Sequence, residues 1–358
     1  MTRHMHKGGL VLNNWSFIAF LMGLIGVVGI SCPVSITFKI SEPVATPVET
    51  VDSPPAGKTP TTSEQSPFSS QSDITPYPSG QVLSAEELSS GVEEAPDFAA
   101  LERYMLELIN TDREASGLDT VEWDDLAARA GRLHALEMAR FNYLSHWNRA
   151  GYGPEIRFGL MGGMQVVQEN VYAFYQRYDT GEPLPIAEWD WFEIVRDAQE
   201  SFMQSPGHRA NILDPHHTHV GIGIAFNPSE GEFRLAQEFT QSYVEFLQPD
   251  SSPIQARPGD TLPIQFRLLN GNSRPVINLA YQSFPSPLEL SDLHNTNTYS
   301  SPAEVIDATP PLQPRNANVN EAVQIPVSGV PGYYHIRVWM NLDGEDVLVG
   351  NLLVIVEP

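Results

Sequence analysis

The sequence predicts an α+β protein in which a mixed helix-and-strand domain is followed by a small all-β, Ig-like sandwich, behind an N-terminal apolar segment and a stalk. Three observations predict it. Apolar residues recur at helical spacing between Asp97 and Gln204. Two β runs with turn residues between them follow from Val220 to Thr240. Beyond about Asp250 the helical period gives way to short strands at hairpin spacing. The length of 358 residues exceeds one average domain and suits two domains with accessory segments.

Arg3 and Lys7 precede the uncharged run Trp15 to Phe38, about the roughly 20 residues a membrane span needs. Residues 1–40 therefore read as a signal peptide or membrane anchor that directs export, with the rest of the chain outside. Small residues Gly29 and Ser31 precede Cys32, so cleavage, lipidation at Cys32 and retention as an anchor are the alternatives. Cys32 is the single cysteine and makes no internal disulfide, while an intermolecular bridge stays open. Residues 41–95 are rich in Pro, Ser, Thr and Glu and hold too few large apolar side chains to offset the entropy of ordering, as expected of a disordered stalk.

The first domain is expected over 96–248. Leu101, Tyr104, Met105, Leu108 and Ile109 form a helical stripe between a capping Asp97 and a terminating Gly117. A second helix carries Leu126, Ala130, Leu133, Glu137 or Met138, and Phe141 on one stripe, with His134 near it as a core or flank histidine. A Gly-rich loop, the extended run QVVQENVYAFY and the helix WFEIVRDAQESFMQ follow. The next helix is short, with Ser205 as its cap, Pro206 at its first position and Asp214-Pro215 as its stop. In VGIGIAF, Gly221, Gly223 and Ala225 share one face and Val220, Ile222, Ile224 and Phe226 the other, which predicts a strand buried on both sides.

The second domain, 249–358, shows strands in TLPIQFRLL, VINLAYQSF, AVQIPV, YYHIRVWMNL and VLVGNLLVIVE. No catalytic constellation assembles there, and such a module reads as a spacer or binding unit.

Acidic residues outnumber basic ones by 44 to 20, a net charge of -24 that excludes nucleic acid as a natural partner. HExxH, G-x-S-x-G and Gly-rich phosphate loops are absent from the sequence. Four histidines crowd SPGHRANILDPHHTHVGIG: His208, His216, His217 and His219. His208 falls at the third position of the short helix, where the positive end of the dipole favours a neutral ring. His216, His217 and His219 are expected to splay into solvent, with a surface metal patch as the minor alternative.

Several ordered pieces carry a resemblance. LINTDREASGLDTVEWDDLAARAGRLHALEMA, LSHW, QENVYAF, SPGHRANIL and VGIGIAF together make residues about 97–244 resemble the CAP (SCP-like, pathogenesis-related) superfamily in its bacterial branch. The resemblance implies an α-β-α sandwich whose cleft takes two histidines and two acids. His146 and His208 match the histidines and Glu169 an acid; both histidines are the implied metal ligands, for zinc. The fourth position does not carry over, since Phe202 replaces the expected Trp and no acid follows it, and Gln168 replaces the glycine before Glu169.

The expected function is an exported, extracellular protein, membrane-anchored or secreted, that binds a lipid, peptide or protein ligand in a His146–Glu169–His208 cleft, with zinc optional. A hydrolase using Glu169 or a histidine as base is one alternative, although Ser145 and Ser205 read as a turn residue and a helix cap rather than nucleophiles. A second alternative is a non-catalytic adhesive or structural surface protein whose C-terminal sandwich does the binding; Tyr333, Tyr334 and Trp339 then matter where exposed, although YYHIRVWM alternates like an ordinary strand with at least one core face. The plain alternative is that the three cleft residues form a polar network tying loops to the sheet.

Overall fold

The computed structural model of the protein describes residues 35–41, 97–178, 180–269, 275–295, 305–307 and 322–357. The expected anchor and stalk lie outside these residues, except that Ser35–Ser41 forms a strand, β1. Among the described residues no helix is long and apolar enough to cross a membrane.

The first unit runs through α1 (Phe98–Ala115), β2 (Glu122–Trp123), α2 (Asp125–Phe141), α3 (Pro154–Leu160), β3 (Val167–Tyr178), α4 (Trp191–Gln204), α5 (Pro206–Ile212), β4 (His219–Asn227) and β5 (Glu232–Thr240). The expected cap at Asp97 and terminator at Gly117 hold, and Asp124 caps α2 as well. Asp97 accepts from the N–H of Ala100, Asp124 from those of Leu126 and Ala127, and Gly117 takes φ 76° after α1. The helix α3 is a difference, because it occupies what the sequence suggested was loop. Pro154 sets its first turn, and Ile156 and Leu160 bury against the second unit.

The strand order is β1-β3-β5-β4-β2, with β3, β5 and β4 antiparallel in sequence along the sheet. Its two faces explain the two faces of VGIGIAF. Val220, Ile222, Ile224 and Phe226 join Met105, Ile109, Val195 and Phe202 of α1 and α4 in one core. The opposite face meets α2 backbone to backbone: a Cβ on Gly221 would lie 1.9 Å from Ala128 N, and one on Gly223 2.0 Å from Gly131 C. Glycine is therefore required, and the layers are helix, sheet, helix.

The second unit has a five-stranded sheet, β10-β9-β12-β13-β7, and a three-stranded sheet, β11-β8-β6. These comprise β6 (Val244–Gln248), β7 (Ile254–Ala256), β8 (Thr261–Leu268), β9 (Val276–Gln282), β10 (Val305–Asp307), β11 (Val323–Pro326), β12 (Gly332–Leu342) and β13 (Glu345–Val356). Phe246, Ile264 and Phe266 of the small sheet share one apolar core with Ile277, Ile336 and Leu352 of the large one. The strand β6 thus belongs with this unit although the expected boundary lay after residue 248. Tyr333 and Tyr334 are buried and Trp339 donates to Asn278 Oδ1, so the aromatic display expected for an adhesive strand is not present.

The two units are packed together. A Cβ on Gly159 of α3 would lie 2.8 Å from Leu353 Cβ of β13, and Ile156, Leu160, Tyr333 and Leu353 form a shared cluster. A strap after β9, ending in the short helix α6 (Leu290–Asn295), crosses back over the first unit. Leu288 N–H donates to Arg149 O at 2.8 Å, and Leu293 is fully buried in a cluster with Met138, Tyr143 and Trp147.

Candidate functional site

The turn that delivers His146 begins where Asn142 ends α2 in the left-handed conformation, φ 51°. Ser145 Oγ accepts from the N–H of Trp147, the turn role expected for it. His134 stands one helix back, with Nε2 2.8 Å from the carbonyl of Ser145. On β3, Glu169 places Oε1 2.8 Å from His146 Nδ1. As a carboxylate, Glu169 accepts a hydrogen bond from His146 Nδ1–H, which fixes the tautomer and orientation of the ring.

Arg157 of α3 closes the arrangement. Its Nη1 donates to His146 O at 2.7 Å, and its Nη2 donates to Glu169 Oε2 and lies 3.5 Å from Glu238 Oε1. Glu238 on β5 is the cross-strand partner of Glu169. Burial pushes the Glu238 carboxyl well above the usual range, and the neighbouring Glu169 pushes it further. Burial also raises Glu169, opposed by the Arg157 guanidinium. With two carboxyls facing one guanidinium at near-zero exposure, the Glu238 carboxyl is the more strongly raised of the two.

His208 sits at the third position of α5, as expected, and is fully buried. Its ring is held down to about 3, first by burial and then by nearby His146, so it is neutral at neutral pH. Neutrality was expected from the helix dipole; desolvation is the larger cause. Phe202, at the position where a Trp was expected, packs its ring 4.9 Å from His208. Asn170 Nδ2 donates to His208 O at 3.4 Å and to Gln237 Oε1 at 2.9 Å. That amide belongs to a relay: His217 to Asn211, Asn211 to Asn170, Asn170 to Gln237, Gln237 to Gln199, and Gln199 to Asp112. Each link is made in the low-dielectric interior, where an unpaired amide is costly.

The remaining histidines depart from expectation. His217 is buried, stacked on Phe239 with ring centroids 5.1 Å apart, and its carbonyl accepts from Arg113. His216 and His219 are half-buried. The three do not splay into solvent, because Arg113 and the relay draw the loop inward. Ser205 holds the N-cap position of α5, but its side chain makes no capping hydrogen bond, against the reading of it as a cap.

His146, Glu169 and His208 are thus brought together, each with 0% of its surface exposed, beneath the surface rather than along an open cleft. Arg157 and Glu238 escaped sequence reasoning. A signal for Glu238 did exist: a strand buried on both faces needs neighbours, and β5 pairs with β4 while all nine of its residues are buried. A glutamate in such a strand has to be a buried acid with a partner.

The helix, sheet and helix layers and this cluster lie in the segment that resembles the CAP family. The sequence model of that family, the cysteine-rich secretory protein family, matches residues 106–243, and all five side chains fall inside the match. Residues 106–243 are thus similar to the CAP family over less than half of the chain. YkwD of Bacillus subtilis (strain 168) is 26% identical over 139 residues, 39% of this chain and 48% of YkwD. The membrane protein YlbC of the same organism is 28% identical over 123 residues, 34% of this chain and 31% of YlbC. The chain therefore spans less than half the length of these curated relatives. An extracellular protein containing a SCP domain from Bacillus anthracis str. Ames aligns at TM-score 0.33 and 20% identity, over 42% of this chain and 45% of that one.

Proposed function

We propose that this is an exported cell-surface protein whose CAP domain binds an extracellular ligand, a lipid, peptide or protein, at His146, Glu169 and His208. The N-terminal segment holds it at the membrane, and the second unit, read as an Ig-like sandwich, is its spacer or binding module. The observation that carries the reading is the His146 Nδ1 to Glu169 Oε1 contact at 2.8 Å, braced by Arg157 and set beside the neutral His208. Imidazoles in a dry setting are suited to hold a donor or a metal, and Arg157 keeps the site's charge balanced.

Zinc fits this donor set in part. It takes four ligands, of which His146 Nε2 and His208 are two, and among the described residues no group of three or more His, Cys, Asp or Glu is placed around a metal. Where zinc binds, these imidazoles hold it, Glu169 fixes His146 from behind, and the ion supplies Lewis acidity to a bound water or ligand atom. Calorimetric titration of the chain with zinc tests the site. His146→Ala and His208→Ala should each abolish binding, and His216→Ala with His219→Ala should leave it intact. Loss in the latter pair with binding retained in the single variants would refute the assignment.

A hydrolase reading draws on the same atoms, because the neutral His208 ring and the raised Glu238 carboxyl set a base and an acid in one region. It calls for turnover of a peptide or ester that disappears in Glu169→Gln. Ser145 is committed to its turn and is no nucleophile for it.

A further inference from the structure

A second site lies away from His146 and Glu169. A polar cavity of about 240 Å³ opens where the start of α2, the start of β4 and the end of β5 converge, walled by Trp123, Asp124, Asp125, Gln165, His219 and Gln241 among others. Gln241 is 2% exposed, yet its Oε1 has no hydrogen-bond partner. Other buried polar atoms lack a partner too, but Gln241 lines a cavity a ligand can enter. A buried oxygen in this state carries its desolvation cost until a donor arrives.

The charge of the wall says what kind of donor. Asp124 and Asp125 contribute two carboxylates, and Glu122 stands 3.7 Å from His219 Nε2. Asp124 is committed to Leu126 N–H, Ala127 N–H and the Thr240 hydroxyl, but it still brings its charge. Asp125 accepts the Trp123 indole N–H through Oδ1 at 2.9 Å, which leaves its second oxygen for a ligand. Arg132 lies 5.9 Å from the Trp123 ring, and its charge is matched by a two-point pairing with Glu102. The N-terminus of α2 adds about half a positive charge, less than the two carboxylates supply. The wall is net negative.

We propose that this cavity binds a small organic cation with N–H donors, a primary ammonium, received by Gln241 Oε1 and Asp125 beside the Trp123 indole. A cavity of 240 Å³ has room for about eight waters at ~30 Å³ each, which matches an alkylammonium of similar atom count better than a bare ion. Turning the Gln241 amide over would present Nε2 and ask for an acceptor, but the anionic acceptors that fit such a donor are repelled by Asp124 and Asp125.

Putrescine, a primary diamine of suitable size, is the probe, titrated into the full chain by calorimetry, with choline, acetate and glycerol as comparisons. Putrescine should bind saturably and more weakly as salt rises, choline about tenfold more weakly for want of an N–H donor, and acetate and glycerol not at all. Gln241→Met, which keeps the volume, and Asp125→Asn, at an exposed position, should each weaken putrescine about tenfold. Equal binding of choline and putrescine, binding of acetate or glycerol, or no saturable putrescine binding overturns the proposal. So does a Gln241→Met chain that is more stable yet binds putrescine unchanged, because the cavity would then hold water alone. Asp125→Asn gives an independent reading should Gln241→Met fail to fold.

Discussion

Glu169 and Glu238 face each other across the β3–β5 ladder, both buried, and one guanidinium, Arg157, reaches both. Burial and the neighbouring Glu169 hold the Glu238 carboxyl well above its ordinary range, and the consequence is a stability that depends on pH. The folded Glu238 carboxyl titrates above its unfolded value, so its contribution is complete below about pH 4.5 and is lost as pH rises toward the folded value. Thermal melts between pH 5 and 8 should show the wild-type chain losing stability relative to Glu238→Gln, which keeps a hydrogen-bonding amide and binds no proton. Parallel curves would show that Glu238 does not carry this dependence.

Arg157 is the one cation shared by these two acids, and removing it leaves buried carboxyls without their counter-charge. Arg157→Met should cost about 3–5 kcal/mol in urea denaturation. Adding Glu169→Gln to it should recover part of that loss, the coupling a double-mutant cycle measures.

His208 works in the opposite sense. Its folded value of about 3 lies below the ordinary histidine range, so unfolding takes up a proton between about pH 6.5 and 3. Stability contributed by the neutral ring is present above that window and is lost as pH falls through it. His217, held down to about 4 by burial, adds to the same slope. His208→Gln should flatten acid unfolding between pH 6 and 4, and the ring resonances of the wild type should stay those of neutral imidazole down to pH 5.

The strap from the second unit pins the turn that carries His146. Leu293→Ala should cost about 2–5 kcal/mol, because the side chain is fully buried among Met138, Tyr143 and Trp147. Hydrogen exchange should quicken at residues 143–152 in that variant while β12 and β13 keep their protection. Gly151→Ala tests the same contact from the other side, since φ is 81° and a Cβ there would lie 2.6 Å from Ser286 O.

Gly223→Ala should prevent α2 from seating on β4, with a loss of at least 1–3 kcal/mol. Gly329→Ala, where nothing lies within 4 Å, should change stability little and serves as the comparison.

Local chemistry was legible in the sequence wherever it acts within a few residues. Asp97 and Asp124 cap their helices because a carboxylate two or three residues before a free N–H can always reach it. The small face and the large face of VGIGIAF are written in alternation, and each found its own layer. His146, Glu169 and His208 were visible through their resemblance to an ordered set of motifs and do converge. Arg157 and the buried His217 were not visible, because nothing near them in the chain distinguishes them from surface charges. Helix, strand and cap follow from neighbours along the chain, so the sequence by itself determined them. Which acid faces Glu169, which cation balances both, and what covers the His146 turn depend on strands 69 residues apart and on a second unit folding back. Those were decided by tertiary structure, where burial removes water and leaves each charge dependent on the partner that packing brings.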